Sequence, residues 1–368
     1  MLLHLPQSAG EMMRVAIDTN GCYTIQTGVA RYIRGILSGL RELRPPDLDY
    51  FEFAWEVENF AYCQPQRALK TFYRELIWCR HLAPRLLTRR RAALLHSTTG
   101  YLIAPPAHVP NVITVHDLAF LRFPKRFRFW QGWAGRRNLE KIATAQRVIC
   151  ISQFTADEAI QLLGLSPSKI EIVYNGCDFH PLETPPAEAI PEFAVPSEFF
   201  LFVGSLEPGK NLSLLREAYA LAARQGNRLP PLMIVGARWE GVAGEGQPPM
   251  DWHYLGRQPD AVLVHLYRRA LALVFPSKYE GFGLPVAEAM ALGCPALCGP
   301  VASLPEVGGD AALYAELTAD AFCQAMLRLA GDESLRREMT AKGREQVKKF
   351  SWKKCAEQTA AVYRQALS

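Results

Sequence analysis

A chain of 368 residues can carry two cores of ordinary size, and its 49% apolar and 21% charged residues are those of a globular protein. No apolar run approaches the roughly 18 residues of a membrane-spanning helix. Nine cysteines at scattered spacing, with no second pair or histidine cluster beside Cys294 and Cys298, exclude a disulfide framework and a zinc-finger pattern, so buried thiols are expected. The net charge of +5 hides an asymmetry: residues 1–181 hold 22 Lys and Arg against 15 Asp and Glu, the remainder 19 against 21.

The segment before Met12 has neither a basic start nor a long apolar centre, so no secretory leader is expected, and the first dozen residues read as an extension. "RVAIDT" (14–19) is a short apolar strand, and Gly28 opens the helical run "VARYIRGILSGLREL". "NVITVHD" (111–117) and "RVICIS" (147–152) are β-rich runs ending in polar residues. "FTADEAIQLLG" is a helix with Asp157 and Glu158 near its positive end and Gly164 at its close, and "IEIVYNG" (170–176) is a further strand. Residues 181–198, within "DFHPLETPPAEAIPEFAVPSE", form a proline-rich linker.

A second series follows: "FFLFVGS", a helix from Leu212, "PLMIVGA", "WHYLG", "AVLVHLYRRA", "LALVFPS", "LPVAEAMALG" and "CPALC". A last helix, "SWKKCAEQTAAVYRQAL", closes the chain. The fold class implied is α/β: two doubly wound, Rossmann-like halves, residues 1–180 and 199–350, with a ligand expected in a cleft between them at the carboxyl ends of the strands.

Chemistry concentrates just after the strands. In "VGSLEPGKNL" (203–212), Gly204 and Gly209 permit close backbone approach and Lys210 places a cation at a helix start, which suits a pyrophosphate. Asn211 stands where a Walker loop needs a hydroxyl, and no GxGxxG follows the first strand, so neither nucleotide fingerprint is present. "VITVHDLAF" puts His116 and Asp117 at a strand end. In "SKYEGFGLPVAEAMALGCP" (277–295), Glu280 precedes a glycine turn, Pro285 suits the first turn of a helix, and Glu288 lies one turn inside it. Each feature alone has an ordinary structural explanation: a turn glycine, a surface lysine, a core histidine, a first-turn acid. Together, Glu280, the EGFG turn and the helix start do not.

With these residues in place, the chain resembles the retaining glycosyltransferases of the GT-B fold, the group that includes bacterial mannosyltransferases and other lipopolysaccharide- and exopolysaccharide-building enzymes. The likeness runs through "GVARYIRGIL", "VHDL", "ISQFT", "IVYNGCD", "VGSLEPGKN" and "PSKYEGFGLPVAEAMALGCPAL" to the terminal "FSW" helix, and the E-x7-E element of Glu280 and Glu288 is its most specific part.

The resemblance implies roles by position. Gly28 brings its backbone to the donor diphosphate, His116 lies near the transferred sugar, and Lys210 neutralises the leaving group. Glu280 contacts sugar hydroxyls, Gly281, Phe282 and Gly283 supply backbone contacts, Leu284 and Pro285 line the phosphate-binding helix start, and Glu288 binds the ribose. The final helix, residues 351–368, packs on the first domain. Ser205 and Gly209 stand where the family usually carries an arginine, so phosphate neutralisation falls to Lys210, with Arg31 and Arg238 as candidate helpers.

The implied reaction is transfer of a sugar, with a lean toward mannose, from a GDP- or UDP-sugar to a glycan or lipid-linked acceptor. It retains configuration by a front-face route in which the departing phosphate takes the acceptor proton. No cofactor or metal is expected. Two basic, aromatic stretches, residues 72–96 and 122–137, fit either solvated helix faces or an anionic membrane surface. A single-stranded nucleic-acid platform is the weaker reading, and no nucleic-acid partner is expected. The location expected is cytoplasmic, at the inner face of the cell membrane. The rival functions are a GT-B nucleotide-sugar epimerase and a non-catalytic nucleotide-sugar-binding protein.

Overall fold

Apolar runs that show no polar alternation become central strands where helices cover both faces of a parallel sheet. The computed structural model describes residues 12–23, 27–55, 69–70, 72–98, 103–124, 129–178, 195–237 and 251–368. It divides into one unit of residues 1–176 with 352–368 and a second of residues 177–351. Most of the proline-rich linker, the first residues and Arg238 lie outside the described residues.

In the first unit, six parallel strands are β1 (Met13–Asp18), β2 (Leu48–Phe53), β3 (Leu94–Ser97), β4 (Asn111–Val115), β5 (Arg147–Cys150) and β6 (Ile170–Ile172), in the order β2-β1-β3-β4-β5-β6. β3 and β4 are buried at every position, as strands covered on both faces must be. The helix Gln153–Leu163 starts where Ser152 Oγ accepts from Thr155 N at 3.0 Å and stops at Gly164, whose left-handed φ of +64° an L side chain resists.

Residues Arg74–Leu82 form a π-helical stretch that continues into the helix Ala83–Arg89. Its Glu75 is buried, 3.3 Å from Arg74 and 3.7 Å from Lys141. Neither β2, β3 nor this π-helix is among the elements expected from sequence.

The helix Trp352–Leu367 packs along the helix Thr27–Leu43 of the same unit. The contact is made at two notches: a Cβ on Gly35 would lie 2.1 Å from the Trp352 ring, and one on Gly39 2.5 Å from the Trp352 carbonyl. Arg364 adds a two-pronged pair to Asp47 at 2.7 and 2.8 Å. Deeper in, Tyr363, His96, Thr114 and Tyr32 form one buried chain of hydrogen bonds. His96 Nδ1 lies 2.7 Å from the Tyr363 hydroxyl and Nε2 2.8 Å from Thr114 Oγ1, which is 2.7 Å from the Tyr32 hydroxyl. Burial, reinforced by the neighbouring His116, holds the His96 pKa down to about 3.

The second unit repeats the plan with β7 (Phe200–Val203), β8 (Leu232–Val235), β9 (Trp252–Gly256), β10 (Ala272–Phe275), β11 (Ala296–Cys298) and β12 (Leu313–Tyr314), ordered β12-β11-β10-β7-β8-β9. Phe200, Phe202 and Val274 from this sheet pack with Leu215 and Phe322 of the covering helices. The eight described cysteines are free, and seven of them are buried. Among the described residues no helix is long and apolar enough to cross a membrane.

Two consequences can be measured. Gly35→Ala drives a methyl into the Trp352 ring and will destabilise by about 2–3 kcal/mol, whereas Gly331→Ala, with nothing within 4 Å, will change stability by about 0.5 kcal/mol at most. The second concerns acid. His96 protonates near pH 3 when folded and near 6.5 when unfolded, so the unfolded chain binds the extra proton between those values. Stability is therefore complete above pH 6.5 and falls by about 1.4 kcal/mol per unit as pH drops through that window. Unfolding free energies from urea titrations at pH 7 and pH 5 will differ by about 2 kcal/mol through His96, and His96→Gln will flatten the slope.

Candidate functional site

In a doubly wound sheet, two adjacent strands whose following connections run to opposite faces leave a crevice at their carboxyl ends, and charged loop residues can meet there. In the second unit this switch point lies between β7 and β10, which pair Phe200 with Ala272 and Leu201 with Leu273. The loop after β7 carries Lys210 and the loop after β10 carries Glu280. The two loops are tied by the Lys278 N–H donating to the Gly209 carbonyl at 2.9 Å.

Lys210 donates from Nζ to Glu280 Oε1, and its ammonium sits 5.4 Å from the centre of the Phe275 ring. Ser277 Oγ donates to the same carboxylate oxygen at 2.6 Å, and Ser303 Oγ donates to the Glu280 carbonyl at 2.9 Å. The Lys210 and Glu280 side chains keep only 18% and 12% of their exposure, so the pair sits in partly excluded solvent where charges interact strongly. Lys210 ends a single 3-10 turn, Pro208–Lys210, rather than standing at the start of a long helix; the helix proper is Leu212–Arg224. The buried Glu207 caps that turn by accepting from Gly209 N at 3.1 Å.

The glycine turn leads into the helix Leu284–Ala291, with Gly283 at φ +94° as its cap and Pro285 in its first turn. A Cβ at Gly283 would come within 2.6 Å of Leu304, so the position is closed to larger residues on two counts. The N–H groups of Val286 and Ala287 return to the Gly283 carbonyl, which leaves the Gly283 and Leu284 amides as the donors at this helix start that no described residue takes up. Phe282 is turned inward, its ring edge-on to Phe350 at 5.4 Å, while Gly281 beside it is also buried. Glu288 is 4% exposed, with Oε2 accepting from the Tyr267 hydroxyl at 3.3 Å.

In the first unit His116 follows β4. Its Nε2 lies 2.8 Å from the Thr98 carbonyl, an acceptor only, so that nitrogen carries the proton and Nδ1 presents a lone pair. Burial lowers its pKa, against the opposing pull of the Thr98 bond and of Asp117. The Tyr32 ring meets the imidazole edge-on at 4.8 Å, which links His116 to the buried chain that ends at Tyr363. Asp117 is exposed and its Oδ1 accepts from Ala119 N at 3.0 Å, just before the short helix Ala119–Arg122. Gly28 is exposed in the first turn of the helix Thr27–Leu43, and Arg31 is half-buried on it.

The structure thus brings Lys210 and Glu280 together, with the glycine turn next in the chain after Glu280 and the half-buried Ser205 on the β7 loop. Gly28, Arg31, His116 and Asp117 belong to the other unit, and Arg238 is outside the described residues. Sequence reasoning missed Ser277, Ser303, Glu207 and Thr98. Of these, Ser277 had a detectable signal, three positions before Glu280 at the end of a buried strand. Among the described residues no cluster of three or more His, Cys, Asp or Glu could hold a metal ion.

Comparison with known proteins places a Glycosyltransferase Family 4 domain over residues 27–180 and a Glycosyl transferases group 1 domain over residues 186–346. The O-antigen chain mannosyltransferase B of Escherichia coli is 33% identical over 298 residues, covering 75% of this chain and 77% of that protein. The serotype-specific mannosyltransferase WbdA of Escherichia coli is 28% identical over 370 residues; the alignment takes in 94% of this chain but only 44% of WbdA, so the chain spans under half of that relative. Sucrose-phosphate synthase from Thermosynechococcus elongatus superposes with a TM-score of 0.74 at 20% identity, over 96% of this chain and 98% of that one. That likeness shows the fold, which is GT-B, with two Rossmann-like domains as the residues implied.

Ser277→Ala tests the local architecture. It removes the neutral donor to a partly buried carboxylate, and urea unfolding will report a loss of about 1.5–3 kcal/mol. A change within experimental error would mean that Lys210 alone fixes Glu280.

Proposed function

The chain belongs to the glycosyltransferases that join a family 4 domain to a group 1 domain, and we propose that it transfers a mannosyl group from a nucleoside diphosphate sugar to a growing glycan or its lipid-linked carrier, with retention of configuration. The mannosyltransferase relatives support the choice of sugar, and GDP-mannose is the donor on that reading.

The Lys210–Glu280 pair at the β7/β10 switch point carries the proposal. An ammonium has three N–H donors, and the pair with Glu280 uses one, so Lys210 can hold a diphosphate oxygen and the carboxylate together. The Gly283 and Leu284 amides add uncharged donors at a helix start, where an anion is favoured. Glu280, held by Ser277, accepts hydrogen bonds from the sugar hydroxyls; Gly281 and the backbone of Phe282 flank it, and Leu284 and Pro285 form the phosphate-side wall. Glu288 takes the ribose hydroxyls. Ser205 and Arg238 assist at the diphosphate. His116, neutral and with an open Nδ1 lone pair, accepts from a hydroxyl of the sugar or acceptor, and Asp117 borders it.

In the transfer step the acceptor oxygen bonds to the anomeric carbon on the face from which the diphosphate departs. The bond electrons leave with the diphosphate, and the acceptor proton passes to its oxygen. Lys210 and the backbone amides stabilise the charge that develops there, without a metal. The enzyme would work at the inner face of the cell membrane, where a lipid-linked acceptor is presented.

Purified protein given GDP-, UDP- and ADP-sugars in turn will release nucleoside diphosphate fastest from GDP-mannose, and proton NMR of the product will show the donor's α configuration retained. Lys210→Ala and Glu280→Ala will each lower kcat/KM by about a hundredfold or more. Near wild-type turnover in both variants would overturn the site, and an inverted product would overturn the mechanism.

A further inference from the structure

The helical stretch that begins at Leu69 exposes a row of large apolar side chains. Leu69 is 70% exposed, Ile77 42%, Tyr73 and Leu76 41%, and Phe72 37%. Their spacing, 69, 72, 73, 76 and 77, is that of one helix face, and the opposite positions Glu75, Trp78, Cys79, Ala83 and Leu87 are buried. The exposed row does not stay apolar. It continues through Arg80, His81, Arg85 and Arg89 to Arg90 and Arg91, all exposed. Residues 69–91 contain seven lysines and arginines against a single acid, and that acid is Glu75, buried and held by Arg74 and Lys141. The face is apolar at one end, cationic at the other, and free of exposed carboxylates.

The second basic, aromatic stretch joins it. Trp133, on the helix Phe129–Ala143, meets Phe72 at 5.1 Å, and Arg137 lies over the Trp133 ring at 5.2 Å. Arg136 on that helix is exposed, as is its one acid, Glu140.

A contiguous exposed apolar row on a globular unit marks an interaction surface. We infer that this face seats on an anionic lipid bilayer, with Leu69, Phe72, Leu76 and Ile77 in the headgroup–acyl boundary and the arginines against lipid phosphates. The inference rests on the lipid-linked acceptor reading only for the partner's identity; the surface itself is independent of the chemistry. An isologous contact with a second copy fits less well, because this face offers no exposed carboxylate to pair with Arg80, Arg85 and Arg89 across a two-fold. A bilayer instead satisfies both ends at once: arginine stems lie along apolar surface while their heads stay among phosphates.

Co-sedimentation of the intact protein with phosphatidylcholine vesicles, with and without phosphatidylglycerol, tests this. Binding is expected only with phosphatidylglycerol and should weaken steeply as salt rises. Each of Arg85→Gln and Arg89→Gln should lower the partition coefficient about fivefold. Leu76→Gln with Ile77→Gln should lower it at least tenfold, and Leu69→Gln, at the most exposed position, gives a smaller loss without risk to the fold; thermal melts report that all remain folded. Equal binding to neutral vesicles, no binding to anionic ones, or binding unchanged by these substitutions overturns the inference. So does a dimer in light scattering that Leu76→Gln with Ile77→Gln dissociates. Sugar transfer to a soluble glycan without vesicle binding defeats this inference alone, whereas vesicle binding without transfer defeats only the proposed function.

Discussion

Lys210 and Glu280 are 70 residues apart in the chain, and neither loop alone could hold its charge in a partly dried crevice. The ion pair exists because β7 and β10 are neighbours in a parallel sheet whose order reverses between them, so both loops leave at the same carboxyl edge. Removing two such charges from water is costly, and their mutual attraction offsets the cost only when the remaining hydrogen-bonding capacity is also met. Ser277 meets it at the carboxylate, and Ser303 fixes the backbone from which the carboxylate projects. The tie between Lys278 and Gly209 then makes the two loops one rigid edge. A group organised before its ligand arrives is what electrostatic stabilisation of a departing anion requires.

Much of this was legible because the central strands are buried on both faces and write themselves as unbroken apolar runs. β4, β5, β7, β8 and β10 are of this kind. β2 was not, since "LDYFEF" is an edge strand with exposed Asp49 and Glu52. β3 is four residues long and follows an arginine run, where nothing local separates it from the preceding helix. The π-helix buries a carboxylate whose partner Lys141 comes from another helix, a tertiary fact no local pattern carries.

The candidate site divides the same way. Lys210, Glu280 and Gly283 announce themselves by standing at strand ends beside glycines. Ser277 and Ser303 matter through the oxygen each hydroxyl reaches, and a serine's partner is not written in its neighbours. The sequence puts Glu288 one turn into the helix and the resemblance makes it a ribose contact, and the fold adds that it is nearly buried and already bonded to Tyr267. His116 stands out by its strand end and by the resemblance. Its tautomer came from the Thr98 carbonyl, and its support from Tyr32 and the hydroxyl chain behind it.

The last helix has a consequence in time. Trp352 fills notches in a helix that begins at Thr27, and Tyr363 closes a hydrogen-bond chain inside the first sheet, so the first unit is incomplete without residues made after the whole of the second. During synthesis at about 5–20 residues per second, the 175 residues from Cys177 to Ser351 take roughly 9–35 s. Through that interval the amino-terminal half emerges with its Gly35 groove open and Tyr32 and His96 lacking a partner from the final helix. The second unit, continuous in the chain, can fold first. Only the first unit must wait for the final helix, and a chain that ends short of Trp352 leaves that unit unfinished whatever the state of the second.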